Sequence, residues 1–261
     1  MPTAPIPPPG RIPIWTTRRC ALTKGQRQAG SGVFSEKDNL ENPIAMDALS
    51  VYYKSVDKSV LIPRADTEKL CELTIEQAKP RISPRILDLC CGSGCIGIAA
   101  AHEVEDARVL AVDLSDGALR LTRENAHRLG VSGRLLAMKA DATMPPPGGV
   151  GPFDIIVSNP PYITRSEMAQ LDHSVADFEP HEALYGGVDG LDFYRAICEN
   201  WGDTLAHGGI LLFECGWKQA DAVAEILQKY GFSDVCIEKD DAGVPRIVIG
   251  RSSREDDDLT K

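Results

Sequence analysis

Short apolar runs alternate with amphipathic segments along most of the chain, from about residue 85 to residue 249. The apolar runs predict seven strands, at residues 85–89, 109–112, 135–138, 154–157, 210–213, 235–238 and 246–249. The amphipathic segments predict helices at residues 93–102, 115–129, 191–205 and 219–230. Strands and helices that alternate at this spacing are typical of a mainly parallel sheet with helices on both faces. We therefore expect an α/β fold of seven strands, in which the last two form an antiparallel pair.

The two ends of the chain lack this pattern. Residues 1–50 are rich in proline, glycine and polar residues, which predicts an irregular segment with one short helix at residues 43–50. Residues 252–261 are mostly polar and acidic, and we expect a frayed tail there. One folded domain is expected between them, at residues 51–251.

Composition and charge narrow the class of protein. The chain has 261 residues, of which 43% are hydrophobic and 25% charged, as in a soluble globular enzyme. The net charge of −10 gives no overall basic field, which disfavours nucleic acid and anionic membranes as partners. No apolar run reaches the roughly 18 residues that a membrane span needs. We expect a soluble protein.

The cysteines indicate a reducing compartment. Most of the 8 cysteines stand in apolar stretches, where a reduced thiol behaves as a small hydrophobic side chain. Cys90, Cys91 and Cys95 lie close together, but they form no CxxC pair and have no neighbouring histidine cluster. We therefore expect no metal site, and a cytoplasmic location.

A glycine-containing loop follows the first predicted strand. Gly92 and Gly94 let the backbone approach a ligand, and the helix that follows offers free N–H groups, although a plain strand-to-helix turn has the same pattern. Asp113 ends the next strand about 20 residues later, where a carboxylate accepts hydrogen bonds from two ribose hydroxyls. Cys90 replaces the first glycine of a dinucleotide motif. The loop therefore favours a nucleoside without a pyrophosphate group.

Three carboxylates follow three consecutive strands. Asp88, Asp113 and Asp141 stand at the ends of the first, second and third strands, which meet at one edge of a parallel sheet. An anionic crevice suits a cationic ligand and repels phosphates. These conditions are met by a sulfonium nucleoside.

The fourth strand ends at the motif Ser-Asn-Pro-Pro-Tyr-Ile, residues 158–163. Proline cannot donate to a sheet ladder, so two successive prolines end the strand abruptly at its carboxyl edge. The amide of Asn159 and the ring of Tyr162 are thereby held beside the crevice.

The motifs LDLCCGSG, AVDLS, KADA and SNPPY, in this order, resemble those of class I S-adenosylmethionine-dependent methyltransferases. The resemblance implies a Rossmann-like fold and S-adenosyl-L-methionine as cofactor, with S-adenosyl-L-homocysteine as product. It implies that the cofactor is bound by Asp88, Cys90, Cys91, Gly92, Ser93, Gly94, Asp113, Leu114, Asp141, Ala142 and Asn159.

Relatives with the Asn-Pro-Pro-Tyr motif methylate planar nitrogens, namely adenine N6, guanine N2 or a glutamine amide. The resemblance implies a catalytic role for Asn159 to Tyr162. Asn159 Oδ1 and the Pro160 carbonyl would hold both N–H groups of the attacking nitrogen, and Pro161 would fix the turn. Tyr162 would stack on the planar group.

Longer segments narrow the family further. Residues 59–70, residues 178–197 and the stretch GGILLFECGWKQADAV resemble the bacterial release factor glutamine methyltransferases, over roughly residues 51–251. This implies that the substrate is the glutamine of the Gly-Gly-Gln motif of class I peptide chain release factors, and we expect a monomer. It also implies that Asp66 or Thr67 caps a helix that covers the cofactor. We expect the helical bundle usual at the amino terminus of this family to be reduced or missing in residues 1–50.

Two other functions remain open at this point. One is methylation of adenine N6 or guanine N2 in nucleic acid, which the acidity and residues 178–197 disfavour. The other is a non-catalytic paralogue that binds the cofactor without turnover, against which the intact Asn-Pro-Pro-Tyr motif argues.

Overall fold

The computed structural model of the protein describes residues 60–64, 66–170 and 180–253. The expectations for residues 1–50, including the short helix at 43–50, lie outside the described residues, as does the acidic tail beyond residue 253.

A seven-stranded sheet forms the centre of the fold. Its strands are β1 (Arg85–Leu89), β2 (Arg108–Asp113), β3 (Leu135–Lys139), β4 (Phe153–Ser158), β5 (Leu205–Glu214), β6 (Phe232–Lys239) and β7 (Pro245–Ser252). Their order across the sheet is β3-β2-β1-β4-β5-β7-β6. The first five strands are parallel, and β7 runs antiparallel to both of its neighbours. The predicted fold class is confirmed, including the antiparallel last strand.

Helices lie on both faces of this sheet. They are α1 (Asp66–Ala78), α2 (Cys95–Glu103), α3 (Asp116–Arg128), α4 (Arg165–Met168), α5 (His181–Leu184), α6 (Asp192–Asn200) and α7 (Ala220–Lys229). One hydrophobic core lies between the sheet and α1 to α3, and the other lies beneath α6 and α7. Adjacent residues of β4, Ile155 and Ile156, belong to opposite cores because successive strand side chains point to opposite faces. Within the described residues, no helix combines the length and the apolar character needed to cross a membrane.

The helix predicted at residues 191–205 is shorter than expected. It ends at Asn200, and a short 3₁₀ turn, Gly202–Thr204, leads directly into β5 at Leu205. The Thr204 hydroxyl donates to the Trp201 carbonyl at 2.7 Å, which closes this turn. Leu205 then pairs with Phe153 of β4, so sheet pairing ends the helix before its apolar pattern does.

Two helix starts also differ from the prediction. Helix α2 begins at Cys95 and not at residue 93, because Gly94 has the left-handed φ of 79° and is the N-cap. Helix α1 begins at Asp66, so Asp66 and Thr67 both lie inside its first turn and neither precedes it as a cap. Asp66 and Glu68 place acidic charge in the first turn of α1.

Candidate active site

A cleft opens at the carboxyl edge of the sheet. The connection from β3 crosses over β2 and β1 to reach β4, so the strand order reverses between β1 and β4, which is where ligands of open α/β sheets bind. The cleft holds about 1050 Å³ when space open to solvent is counted. It is lined by ten of the predicted site residues: Cys90, Cys91, Gly92, Ser93, Asp113, Leu114, Asp141, Ala142, Asn159 and Pro161.

The loop after β1 turns its backbone towards this cleft. Cys90 and Gly92 have positive φ values of 58° and 55°, and a Cβ built on Gly92 would meet no atom within 4 Å. A Cβ on Gly94 would instead lie 2.7 Å from Cγ2 of Thr122, so α3 packs too closely there for any side chain. A positive φ is unusual for a residue other than glycine, and Cys90 therefore holds a strained conformation at the edge of the site.

Asp113 joins the loop to the end of β2. Its Oδ2 accepts the N–H of Gly92 and its Oδ1 accepts the N–H of Ser115, both at 2.9 Å. Burial raises the pKa of the Asp113 carboxyl, and the backbone N–H groups of Ser115, Gly92 and Leu114 oppose that rise. A carboxylate has about four acceptor positions, so Asp113 can still accept from a ligand in the cleft.

Asp88 lies behind the loop. The side chain is fully buried, and Oδ2 accepts the N–H of Gly97 in α2 at 2.8 Å. Burial raises the pKa of this carboxyl to about 7, with the hydrogen bond from Gly97 opposing the rise and the charge of Asp113 adding to it. The structure places Asp88 outside the lining of the cleft, where it holds α2 against the sheet.

Asp141 stands at the wall of the cleft after β3. Its Oδ1 accepts both the N–H and the hydroxyl of Thr143, at 2.8 Å and 2.6 Å. These bonds fix the turn in which Ala142 is buried beside the cleft.

Asn159 is the first residue after β4 and contributes its amide to the cleft. Its Nδ2 donates to the Thr67 hydroxyl of α1 at 3.3 Å. Its Oδ1 is buried and has no hydrogen-bond partner among the described residues. A buried carbonyl oxygen without a donor is costly in a folded protein, so this atom is available to accept an N–H.

The segment after Asn159 is held by bonds to its backbone. The side chain of Gln219 donates to the Tyr162 carbonyl at 3.0 Å. The N–H of Ile163 donates to the Leu184 carbonyl at 2.9 Å, and the Ile163 carbonyl accepts the N–H of Gly186 at 3.0 Å. The connection between β5 and α7 therefore holds this segment on one side, and the end of α5 with the residues after it holds it on the other.

Pro160, Tyr162 and Gly94 lie just outside the lining of the cleft. Pro160 is buried, and Tyr162 is half-buried against the core beneath α6 and α7. Burial raises the pKa of Tyr162 to about 12, and the charge of Glu214 adds to this effect. The Tyr162 hydroxyl is therefore protonated at neutral pH.

Comparison with known proteins identifies the family. The family model described as "Methyltransferase small domain" matches residues 65–176. A release factor glutamine methyltransferase of Clostridium botulinum is 40% identical over 197 residues, which are 76% of this chain and 70% of that relative. Another, of Geobacter sulfurreducens, is 40% identical over 196 residues, or 75% of this chain and 67% of the relative. The chain belongs to the release factor glutamine methyltransferase family.

Solved structures agree on the fold of this methyltransferase. The catalytic domain of hMettl16, solved in complex with the MAT2A 3'UTR hairpin 6, superposes with a TM-score of 0.61. It is 16% identical and covers 77% of this chain and 76% of its own, so the likeness concerns the fold alone.

Sequence reasoning missed part of the site of this methyltransferase. The cleft is also lined by Val60, Leu61, Pro63, Thr67, Cys95, Ile96, Ser115, Ala118, Ala140, Pro180, Glu182, Ala183 and Phe193. Thr67 and Glu214, which meet Asn159, were given no role beyond a possible cap. The signal was present at Glu214, because a carboxylate closes the otherwise apolar run of β5.

Two cysteines of the cleft have raised thiol pKa values. Burial raises the pKa of both Cys90 and Cys91 well above the ordinary thiol value. The described part of the chain contains no group of three or more His, Cys, Asp or Glu residues placed to hold a metal ion.

Proposed function

We propose that this protein transfers a methyl group from S-adenosyl-L-methionine to the side-chain amide nitrogen of the glutamine in the Gly-Gly-Gln motif of class I peptide chain release factors. Membership of the family supports the reaction and its substrate. The observation that carries the proposal is Asn159 at the wall of the cleft, with its Oδ1 buried and without a hydrogen-bond partner among the described residues.

The cleft suits the proposed cofactor. Asp113 and Asp141 give it an anionic wall, and the open space beside Gly92 admits a ligand close to the backbone. Asp113 would accept the ribose hydroxyls, Gly92 would lie against the methionine part, and Asp141 and Ala142 would border the adenine. When bound, the cofactor supplies an electrophilic methyl group on a positively charged sulfur.

The acceptor end of the cleft suits an amide. The lone pair of an amide nitrogen is delocalised, so this nitrogen is a poor nucleophile and benefits from being held in the attacking geometry. Asn159 Oδ1 and the Pro160 carbonyl would each accept one N–H of the substrate, and Tyr162 would support the planar group. This is positioning by groups that are already fixed before the substrate arrives.

The remaining alternatives use the same cleft. A nucleic-acid base amine would present similar N–H groups to Asn159, but a net charge of −10 opposes binding of a polyanion. A paralogue without turnover would have no need for an acceptor segment held by Thr67, Gln219 and Gly186. We also propose that the protein is a monomer and that it acts in the cytoplasm.

The test is methyl transfer from labelled cofactor to three acceptors: a recombinant class I release factor, DNA and RNA. Label should enter the release factor, and a release factor whose Gly-Gly-Gln glutamine is replaced by alanine should take up none. Label in DNA or RNA with an unlabelled release factor would reject the proposed substrate. No label in any acceptor, with cofactor binding intact, would favour the non-catalytic paralogue.

A further inference from the structure

Three side chains meet behind the acceptor end of the cleft. Ser158 pairs with Phe213 across β4 and β5, so the next residues along these parallel strands, Asn159 and Glu214, emerge side by side. Thr67, in the first turn of α1, contacts Asn159 through its hydroxyl. Glu214 and Thr67 are only 1% and 2% exposed, so water does not compete for these contacts.

The orientation of the Asn159 amide decides whether this site works. The oxygen and nitrogen ends of an asparagine amide have nearly the same shape, so their positions are set by hydrogen-bond partners. With Oδ1 towards the cleft, Asn159 accepts an N–H from the substrate. With the amide reversed, Nδ2 would face the substrate and repel the same N–H group.

Thr67 and Glu214 favour the first orientation. The hydroxyl of Thr67 accepts from Asn159 Nδ2 at 3.3 Å, which leaves its own proton free to bond elsewhere. Thr67 and Asn159 both favour the charged form of the neighbouring Glu214 carboxyl, whose buried Oε2 has no hydrogen-bond partner among the described residues. An ionised carboxylate only accepts, so it pairs with the NH₂ end of an amide and repels the oxygen end.

We propose that Thr67 and Glu214 are positioning residues that hold the Asn159 amide with its oxygen towards the substrate nitrogen. The pair acts through Asn159 and does not need to touch the substrate. This inference rests on the proposed function, because it assumes that the acceptor brings an N–H group to Asn159.

The charge of Glu214 makes this arrangement sensitive to pH. Burial raises the pKa of the carboxyl to about 7, while Thr67 opposes the rise, the charge of Asp66 adds to it and the charge of Arg246 opposes it. The charge of Glu214 also raises the pKa of four other titratable groups, namely Tyr162, Tyr194, Cys71 and Cys215. Below the pKa, protonated Glu214 donates as well as accepts and no longer selects one orientation of the amide.

The test compares two isosteric variants with a matched control in steady-state methylation of the release factor. Thr67→Val removes the hydroxyl, and Glu214→Gln replaces the carboxylate by an amide that can present either end to Asn159. Thr74→Val is the control, since Thr74 is an equally buried threonine of α1 whose hydroxyl bonds only to the Leu70 carbonyl, at 2.8 Å. Thr67→Ser retains the hydroxyl.

We expect kcat to fall about tenfold or more in Thr67→Val and in Glu214→Gln, with KM for the release factor and affinity for the cofactor within twofold of wild type. Thr67→Ser should recover most of the activity lost in Thr67→Val. The ratio of wild-type kcat to Glu214→Gln kcat should grow between pH 6 and pH 8, as Glu214 ionises.

Several results would overturn the inference. These are a kcat within twofold of Thr74→Val for both variants, a loss confined to KM or to cofactor affinity, or a wild-type to Glu214→Gln ratio that does not change with pH. A wild-type protein that does not methylate the release factor would instead reject the proposed function, which keeps the two failures distinct.

Discussion

The two ends of the cleft are built in different ways. At the cofactor end, the Asp113 carboxylate accepts the backbone N–H groups of Gly92 and Ser115, which lie 21 and 2 positions away. At the acceptor end, Asn159 bonds to a residue 92 positions away and Tyr162 to one 57 positions away. The first end is a local motif, and the second exists only once α1, β5 and α7 have packed together. Substitutions should therefore separate cofactor binding from methyl transfer.

The largest effect is expected from Asn159→Ala. This variant removes the oxygen that would hold the substrate N–H, and loss of one such fixed group lowers kcat by roughly 10²–10³. Affinity for S-adenosyl-L-methionine, measured by calorimetry, should stay within a few-fold of wild type. Collapse of cofactor binding with normal turnover of the remaining complex would show that the two ends are not separate and that Asn159 belongs to the cofactor site.

The next largest effect is expected from Asp113→Ala, at the opposite end. Two ribose hydroxyls and the N–H groups of Gly92 and Ser115 would lose their acceptor. Unmet polar groups in a poorly hydrated site cost about 1–3 kcal/mol, so cofactor affinity should fall roughly ten- to a hundredfold. Asp113→Asn, which keeps one oxygen, should lose less. Unchanged affinity in the alanine variant would remove Asp113 from the ribose site.

A smaller effect is expected from Gln219→Met, which keeps the length of the side chain and removes its amide. The Tyr162 and Gly190 carbonyls would lose their donor, and the N–H of Gly216 would lose its acceptor. A hydrogen bond contributes about 1 kcal/mol net, so kcat should fall roughly five- to tenfold at nearly constant cofactor affinity. Gln228→Met, on the exposed side of α7, is the control. Equal kcat in the two variants would mean that Gln219 does not hold the acceptor segment.

The smallest effect is expected from Tyr162→Phe. With a pKa of about 12, the hydroxyl keeps its proton at neutral pH and takes no part in proton transfer, so kcat should stay within about threefold of wild type. Tyr162→Ala, which removes the ring, should lower kcat further. A phenylalanine variant as slow as the alanine variant would assign the role to the hydroxyl and not to stacking.

The same contrast explains what the sequence could predict. The seven strands and their antiparallel end followed from short apolar runs, which are clearest in β1, β4 and β5 because these central strands are buried on both faces. Helix α6 was predicted too long, since sheet pairing at Leu205 overrides an amphipathic pattern that continues past Asn200. Periodicity reports the burial of a residue and not its partner, so it cannot show where pairing takes over from a helix.

In the candidate site, the residues placed around Gly92 and Asp113 came from motifs whose members lie close together in the chain. The contacts of Asn159 with Thr67 and Glu214 could not be read in this way, because they depend on how α1 and β5 pack beside β4. Asp88 illustrates the reverse case. It was placed with the other strand-end carboxylates, but its side chain is buried against α2 and accepts the N–H of Gly97, while the loop lines the cleft only from Cys90 onward.

The most direct test of the account is to locate the methyl group. The protein should be incubated with cofactor and an intact class I release factor, and the product digested and examined by tandem mass spectrometry. One methyl group should be added to the side-chain nitrogen of the Gly-Gly-Gln glutamine, and only a trace of this product should form when Asn159→Ala replaces the wild-type protein. A methyl group on another residue of the release factor, or full modification by Asn159→Ala, would contradict it.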